Sequence, residues 1–102
     1  MGLVLGYFRV EDGSLLWKVE TAAGVRAAPM LDSENMLFVG SQDHFLYAIA
    51  SKDGTVIWRL DLGAEIDSSV AIANRRTLVV GSDSGVVFLL SEMDQDDPQR
   101  KI

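Results

Sequence analysis

Phe45-Leu46-Tyr47-Ala48-Ile49-Ala50-Ser51-Lys52-Asp53-Gly54-Thr55-Val56-Ile57-Trp58-Arg59-Leu60 is the stretch on which the reading of this chain turns. Two short runs rich in aliphatic, β-branched and aromatic residues flank the polar turn Ser51-Lys52-Asp53-Gly54, the composition of an antiparallel hairpin. Everything on either side is related to it. Placing Asp12 over Asp53 aligns residues 12–49 with residues 53–90 at an offset of 41 without a gap.

Eight of those 38 pairs are identical: Asp12/Asp53, Gly13/Gly54, Trp17/Trp58, Ala23/Ala64, Leu37/Leu78, Val39/Val80, Gly40/Gly81 and Ser41/Ser82. They cluster at turns and strand ends, where a structural repeat constrains its residues. Apolar positions also match in kind, as in Leu15/Val56, Val19/Leu60, Val25/Ile66 and Tyr47/Phe88. Segments 3–10, 15–20, 26–31, 36–40, 45–50, 56–62, 67–72, 77–81 and 86–91 read as nine strands, separated by Asp-Gly and Gly-Ser turns. Pro29 pushes its run toward a sheet edge, because it has no N–H to give a ladder. No run of ten or more residues is best read with helical spacing, so the fold class is all-β.

At 102 residues the chain is one domain at most. A net charge of -6 and nine scattered basic residues oppose a nucleic-acid surface, which needs clustered Lys and Arg; Arg75-Arg76 reads as a solvated turn. With no cysteine, disulfides, thiolate catalysis and sulfur-ligated metals are excluded. The apolar opening from Met1 to Val10 lacks a basic leader and a cleavage site and is too short to span a bilayer; no signal peptide or transmembrane segment is expected, and the compartment stays open. Residues 92–102 turn polar and acidic around Pro98 and are expected to form a disordered tail, leaving residues 1–91 as the repeat region.

A period near forty residues with four strands per unit marks a β-propeller blade. Ala48, Gly54 and Trp58 are spaced as in the tryptophan-docking motif of the pyrroloquinoline-quinone-like (PQQ-like) repeat family, which this chain resembles over residues 2–91. The segments from Leu37 to Asp43 and from Leu78 to Gly85 look like the apolar strand, Gly-Ser and polar turn that precede that motif. Ala27-Ala28-Pro29 and Ser68-Ser69-Val70 stand in the place of its small-small-Pro strand. Three positions depart from the pattern: Ala50 where Asp is expected, Tyr7 where the first copy would carry Ala, and Gln99 where a third Trp would fall.

The resemblance implies two to two-and-a-half four-stranded antiparallel blades. It gives Gly13, Trp17, Ala48, Gly54 and Trp58 a structural role, with each indole packed between blades and its N–H on a backbone acceptor. No catalytic, cofactor-binding or metal-binding residue is assigned. His44, the one histidine, reads as an exposed turn residue, because neighbours such as Asp43 point to different sides. Asp12, Asp53 and Asp83 read as turn residues bonding their own backbone, without the spacing of a calcium loop.

The function expected is a non-catalytic module for protein–protein interaction or scaffolding. Its partners would be copies of itself, a larger propeller or another protein, since repeat folds need neighbours to bury their faces. No cofactor is expected in the isolated chain. PQQ and calcium enter only under the alternative, a fragment of a PQQ-dependent dehydrogenase.

Overall fold

The computed structural model describes residues 3–74 and 77–91. The readings of Arg75-Arg76 as a turn and of residues 92–102 as a tail fall outside them. Among the described residues nine strands form three antiparallel sheets. The first pairs β1 (Leu3–Phe8) with β2 (Leu15–Thr21). The second runs in order β3 (Met30–Leu31), β4 (Met36–Gly40), β5 (Phe45–Ala50) and β6 (Val56–Asp61). The third runs β7 (Ala71–Asn74), β8 (Thr77–Gly81) and β9 (Val87–Ser91). Each strand pairs with its sequence neighbour, as tight polar turns dictate.

Sequence repetition becomes repetition of hydrogen bonds. Ala50 N donates to Thr55 O and Gly54 N to Ala50 O, at 2.8 and 2.9 Å; the same two bonds close the earlier turn, from Arg9 N to Ser14 O and from Gly13 N to Arg9 O, each at 2.8 Å. Between sheets, Gln42 N donates to Gly24 O and Asp83 N to Glu65 O, again corresponding positions of successive units.

Two strands differ from the sequence reading. Segments 26–31 and 67–72 read as strands, but the ladder holds only Met30–Leu31 in the one and starts at Ala71 in the other. Within the first segment Ala28 N bonds across the seam instead, donating to the Ser69 hydroxyl at 3.1 Å; just ahead of the two segments Gly24 O accepts from Gln42 N and Ile66 N donates to Ser41 O. A backbone group bonded to the next sheet is not available to its own.

The core sits on both faces of the second sheet. Alternation along β4 and β5 sends Leu37, Val39, Tyr47 and Ile49 toward the first sheet, where they pack with Trp17. It sends Phe38, Leu46 and Ala48 the other way, against Ile66, Val70, Leu78 and Val80. Two buried faces explain why β5 is apolar along its whole length rather than at every second residue. Leu46 and Ile49 are completely buried, each worth about 1.5–3 kcal/mol relative to exposure.

Candidate functional site

The seam between the first two sheets is built around Trp17. In the β1–β2 ladder Tyr7 opposes Trp17 and Phe8 opposes Leu15, which leaves Leu16 as an extra residue; the β5–β6 ladder has the same irregularity, with Ile57 extra between Val56 and Trp58. A bulge re-aims the side chain beside it, and here that side chain is the indole. Trp17 is buried to 9% exposure and donates from Nε1 to the carbonyl oxygen of Ser51 at 2.6 Å. Its ring lies on the 51–54 turn. Gly54 holds φ +80°, and a Cβ there would stand 2.8 Å from Cδ2 of Trp17, so this position of the turn admits no side chain. Asp53 braces it by accepting from Thr55 N at 3.0 Å, a bond that lowers the Asp53 carboxyl below its ordinary pKa. Asp12 accepts from Ser14 N in the same way, with the same downward shift.

The other motif residues are distributed along the repeat. Ala48 is completely buried and lies opposite Trp58 in the ladder. Trp58 is half-buried, packs against the second core cluster and lies tilted against Phe38 with ring centroids 6.0 Å apart. Gly13 occupies the earlier turn at φ +74°. The turn position that would receive Trp58 by the repeat is at residues 92–95, outside the described residues.

A second cluster on this seam is not one of the repeat positions. Asp43 accepts hydrogen bonds from Phe45 N at 3.0 Å, from Ala22 N of the first sheet's outgoing loop at 3.2 Å, and from the Tyr47 hydroxyl. Burial works to raise the Asp43 carboxyl, but the bonds from Tyr47, Phe45 and Ala22 outweigh it and hold it below its ordinary value. Burial first, and then the negative Asp43, push the Tyr47 phenol up to about 12. Tyr47 also lies against Phe45, whose ring carries the Arg59 guanidinium 4.3 Å from its centroid. Repeat alignment hid this group, since Asp43 and Tyr47 correspond to Ser84 and Phe88, which cannot form the pair. The local signal was an acid and a phenol four residues apart around a turn.

His44 is exposed and takes φ +81°, where the corresponding Gly85 has φ +87°. Asp83 joins Glu65 and Asp67, and one carboxylate oxygen from each lies within 4.8 Å of the others. Gln42 Nε2 donates to Asp67 at 3.3 Å. The Asp83 carboxyl is raised by its hydrogen bond with Asp67 and by the charges of Asp67 and Glu65. These are oxygens a hard cation accepts. An all-anionic group does not fit a carboxylate-bearing quinone, whose own negative charges it would repel.

Comparison with known proteins agrees with this geometry. The crystal structure of BamB from Moraxella catarrhalis is similar at a TM-score of 0.74 and 17% identity, covering 86% of this chain and 26% of that one. A europium-containing methanol dehydrogenase is similar at 0.64 and 17% identity, covering 84% of this chain and 14% of that one. The chain thus spans about a quarter of the first structure and less of the second. A search of curated proteins finds no match. Both structural likenesses give the fold, a β-propeller. The model of the family described as outer membrane protein assembly factor BamB matches residues 1–101, and the chain belongs to that family of PQQ-like propeller repeats.

Proposed function

We propose that this chain is a non-catalytic propeller-repeat module that acts by protein–protein contact, joining further blades, copies of itself or another protein through its exposed sheet face. One observation carries the reading. On the second sheet, Phe38, Leu46 and Ala48 are 7%, 0% and 0% exposed because the third sheet covers them. Their counterparts on the third sheet are Val79, Val87 and Leu89, and Val87 and Leu89 are 71% and 66% exposed. A face built like one that is buried, and left in water, is a contact surface. The family description, an assembly factor, supports the same reading.

The second reading, part of a PQQ-dependent dehydrogenase, is favoured by the likeness to the methanol dehydrogenase. Titration with the quinone and calcium, followed by absorbance and dye-linked alcohol oxidation, separates the two. The module reading expects neither saturable quinone binding nor turnover; both together would overturn it.

A further inference from the structure

Among the described residues β9 has a neighbouring strand on one side only, whereas its counterpart β5 has one on each. The register decides which backbone groups this leaves open. Ser82 N donates to Val86 O, and the β8–β9 pairs continue that register. Pairs that exchange hydrogen bonds alternate with pairs that do not in an antiparallel ladder, so Phe88 and Leu90 give their N–H and C=O to β8. Val87, Leu89 and Ser91 turn theirs to the open edge. In the second sheet the counterparts of Val87 and Leu89 are Leu46 and Ala48, paired with Leu60 and Trp58 of β6, and His44 O accepts from Leu62 N.

The open edge also differs in charge. The last strands of the first two sheets, β2 and β6, carry Lys18 and Glu20, and Arg59 and Asp61. Charges of this kind keep an edge strand from pairing with a stray chain. Strand β9 reads Val-Phe-Leu-Leu-Ser and carries none.

From this edge we infer that β9 receives, by antiparallel pairing along Val87, Leu89 and Ser91, an extended segment of a partner protein that is uncharged over the length of β9 and basic at its C-terminal end. The precedent for the direction is β6, which runs antiparallel on β5. A segment so placed ends beside Gly85, in the turn that carries Asp83. Glu65 and Asp67 stand with Asp83, one carboxylate oxygen of each within 4.8 Å of the others. A Lys or Arg at that end is attracted to them and an acid is repelled. The open ladder is the site; the carboxylates select which segment suits it. A second copy's β9 is a poor occupant, since Glu92 and Asp94 follow its Ser91 and antiparallel pairing would bring acids toward acids.

The inference rests on the interaction reading above and names an edge and a class of partner for it. Its test is amide hydrogen exchange on the full 15N-labelled chain, followed residue by residue by NMR, with and without the blocked peptide Thr-Val-Thr-Val-Thr-Lys-Lys. Alone, the chain should exchange slowly at Phe88 and Leu90 and fast at Val87, Leu89 and Ser91. Saturating peptide should slow those three by about tenfold or more and leave β4 and β5 unmoved. The same peptide ending in Glu-Glu should bind about tenfold more weakly or worse, as should the unaltered peptide with the Val87→Pro chain, which loses an edge donor and no bond to β8. A peptide N-methylated at the residues whose N–H groups face β9 should not bind. Edge amides that the peptide does not slow, edge amides already slow without it, or equal binding by the Glu-Glu or N-methylated peptide would each overturn the inference. Unslowed edge amides in a chain that still associates in solution would overturn the edge and leave the interaction reading standing. Slowed edge amides in a chain that turns over a quinone substrate would support the edge and overturn the non-catalytic reading.

Discussion

Trp17 Nε1 and the carbonyl oxygen of Ser51 meet at 2.6 Å across the seam between two sheets, a bond between residues 34 positions apart. It joins the units through a group that each unit repeats. Replacing Trp17 with Phe keeps an aromatic filler and leaves a buried acceptor unpaired, at a cost of about 1–3 kcal/mol. Trp17→Ala adds the cavity, for about 3–5 kcal/mol in all. Chemical denaturation should show this order, as a falling midpoint at an unchanged slope for the Phe variant.

Gly13 and Gly54 form a matched pair for separating backbone strain from contact. Both have positive φ, but only Gly54 lies under an indole, with ring atoms of Trp17 at 2.8–2.9 Å from its Cβ position. Gly13→Ala should cost only the left-handed backbone term, about 1–2 kcal/mol. Gly54→Ala should cost more than that in the same assay, because the ring must also move. Equal losses would mean that the indole does not rest on the turn.

Tyr47 makes the chain sensitive to alkali. Its phenol is raised from 10.0 to about 12, so the folded state holds the proton more tightly than the unfolded state. Stability from this group is full below pH 10 and is lost as pH rises toward about 12. The expected result is a midpoint that falls across that window in the parent and falls less in Tyr47→Phe. Asp43 acts at the other end of the scale: its lowered carboxyl contributes stability above its ordinary value of 3.8 that is lost in stronger acid.

His44 sits where the repeat uses glycine, at φ +81° beside +87° for Gly85. A β-carbon in this region costs about 1–2 kcal/mol, partly offset by the greater unfolded-state freedom of glycine. His44→Gly is therefore expected to raise stability by up to about 1 kcal/mol, measured as a higher denaturation midpoint. Destabilisation would give the imidazole a structural role.

The propeller was legible because its signals are local and repeated. Strands β4, β5 and β8 occupy the read segments, residues 36–40, 45–50 and 77–81, since apolar runs between Asp-Gly and Gly-Ser turns specify both ends. Strand β3 is shorter than the segment read for it because Ala28 N, inside that segment, bonds to the Ser69 hydroxyl of the next unit, and a partner that distant leaves no trace in a short window. The Asp43–Tyr47 pair was missed for the opposite reason: it is peculiar to one unit, so aligning the units averages it away. Glu65, Asp67 and Asp83 come together only once Asp83 N bonds Glu65 O, a juxtaposition of two loops that their spacing does not announce.

The central claim, in its self-association form, is that the exposed sheet face joins copies of the chain, and the absolute mass in solution, by light scattering behind a sizing column across a dilution series, tests it most directly. The account predicts a discrete multiple of the chain mass that dissociates on dilution and is weakened by Leu89→Lys, which puts a charge on the exposed face of β9. A monomer at every concentration, or a polydisperse aggregate indifferent to Leu89→Lys, would contradict it.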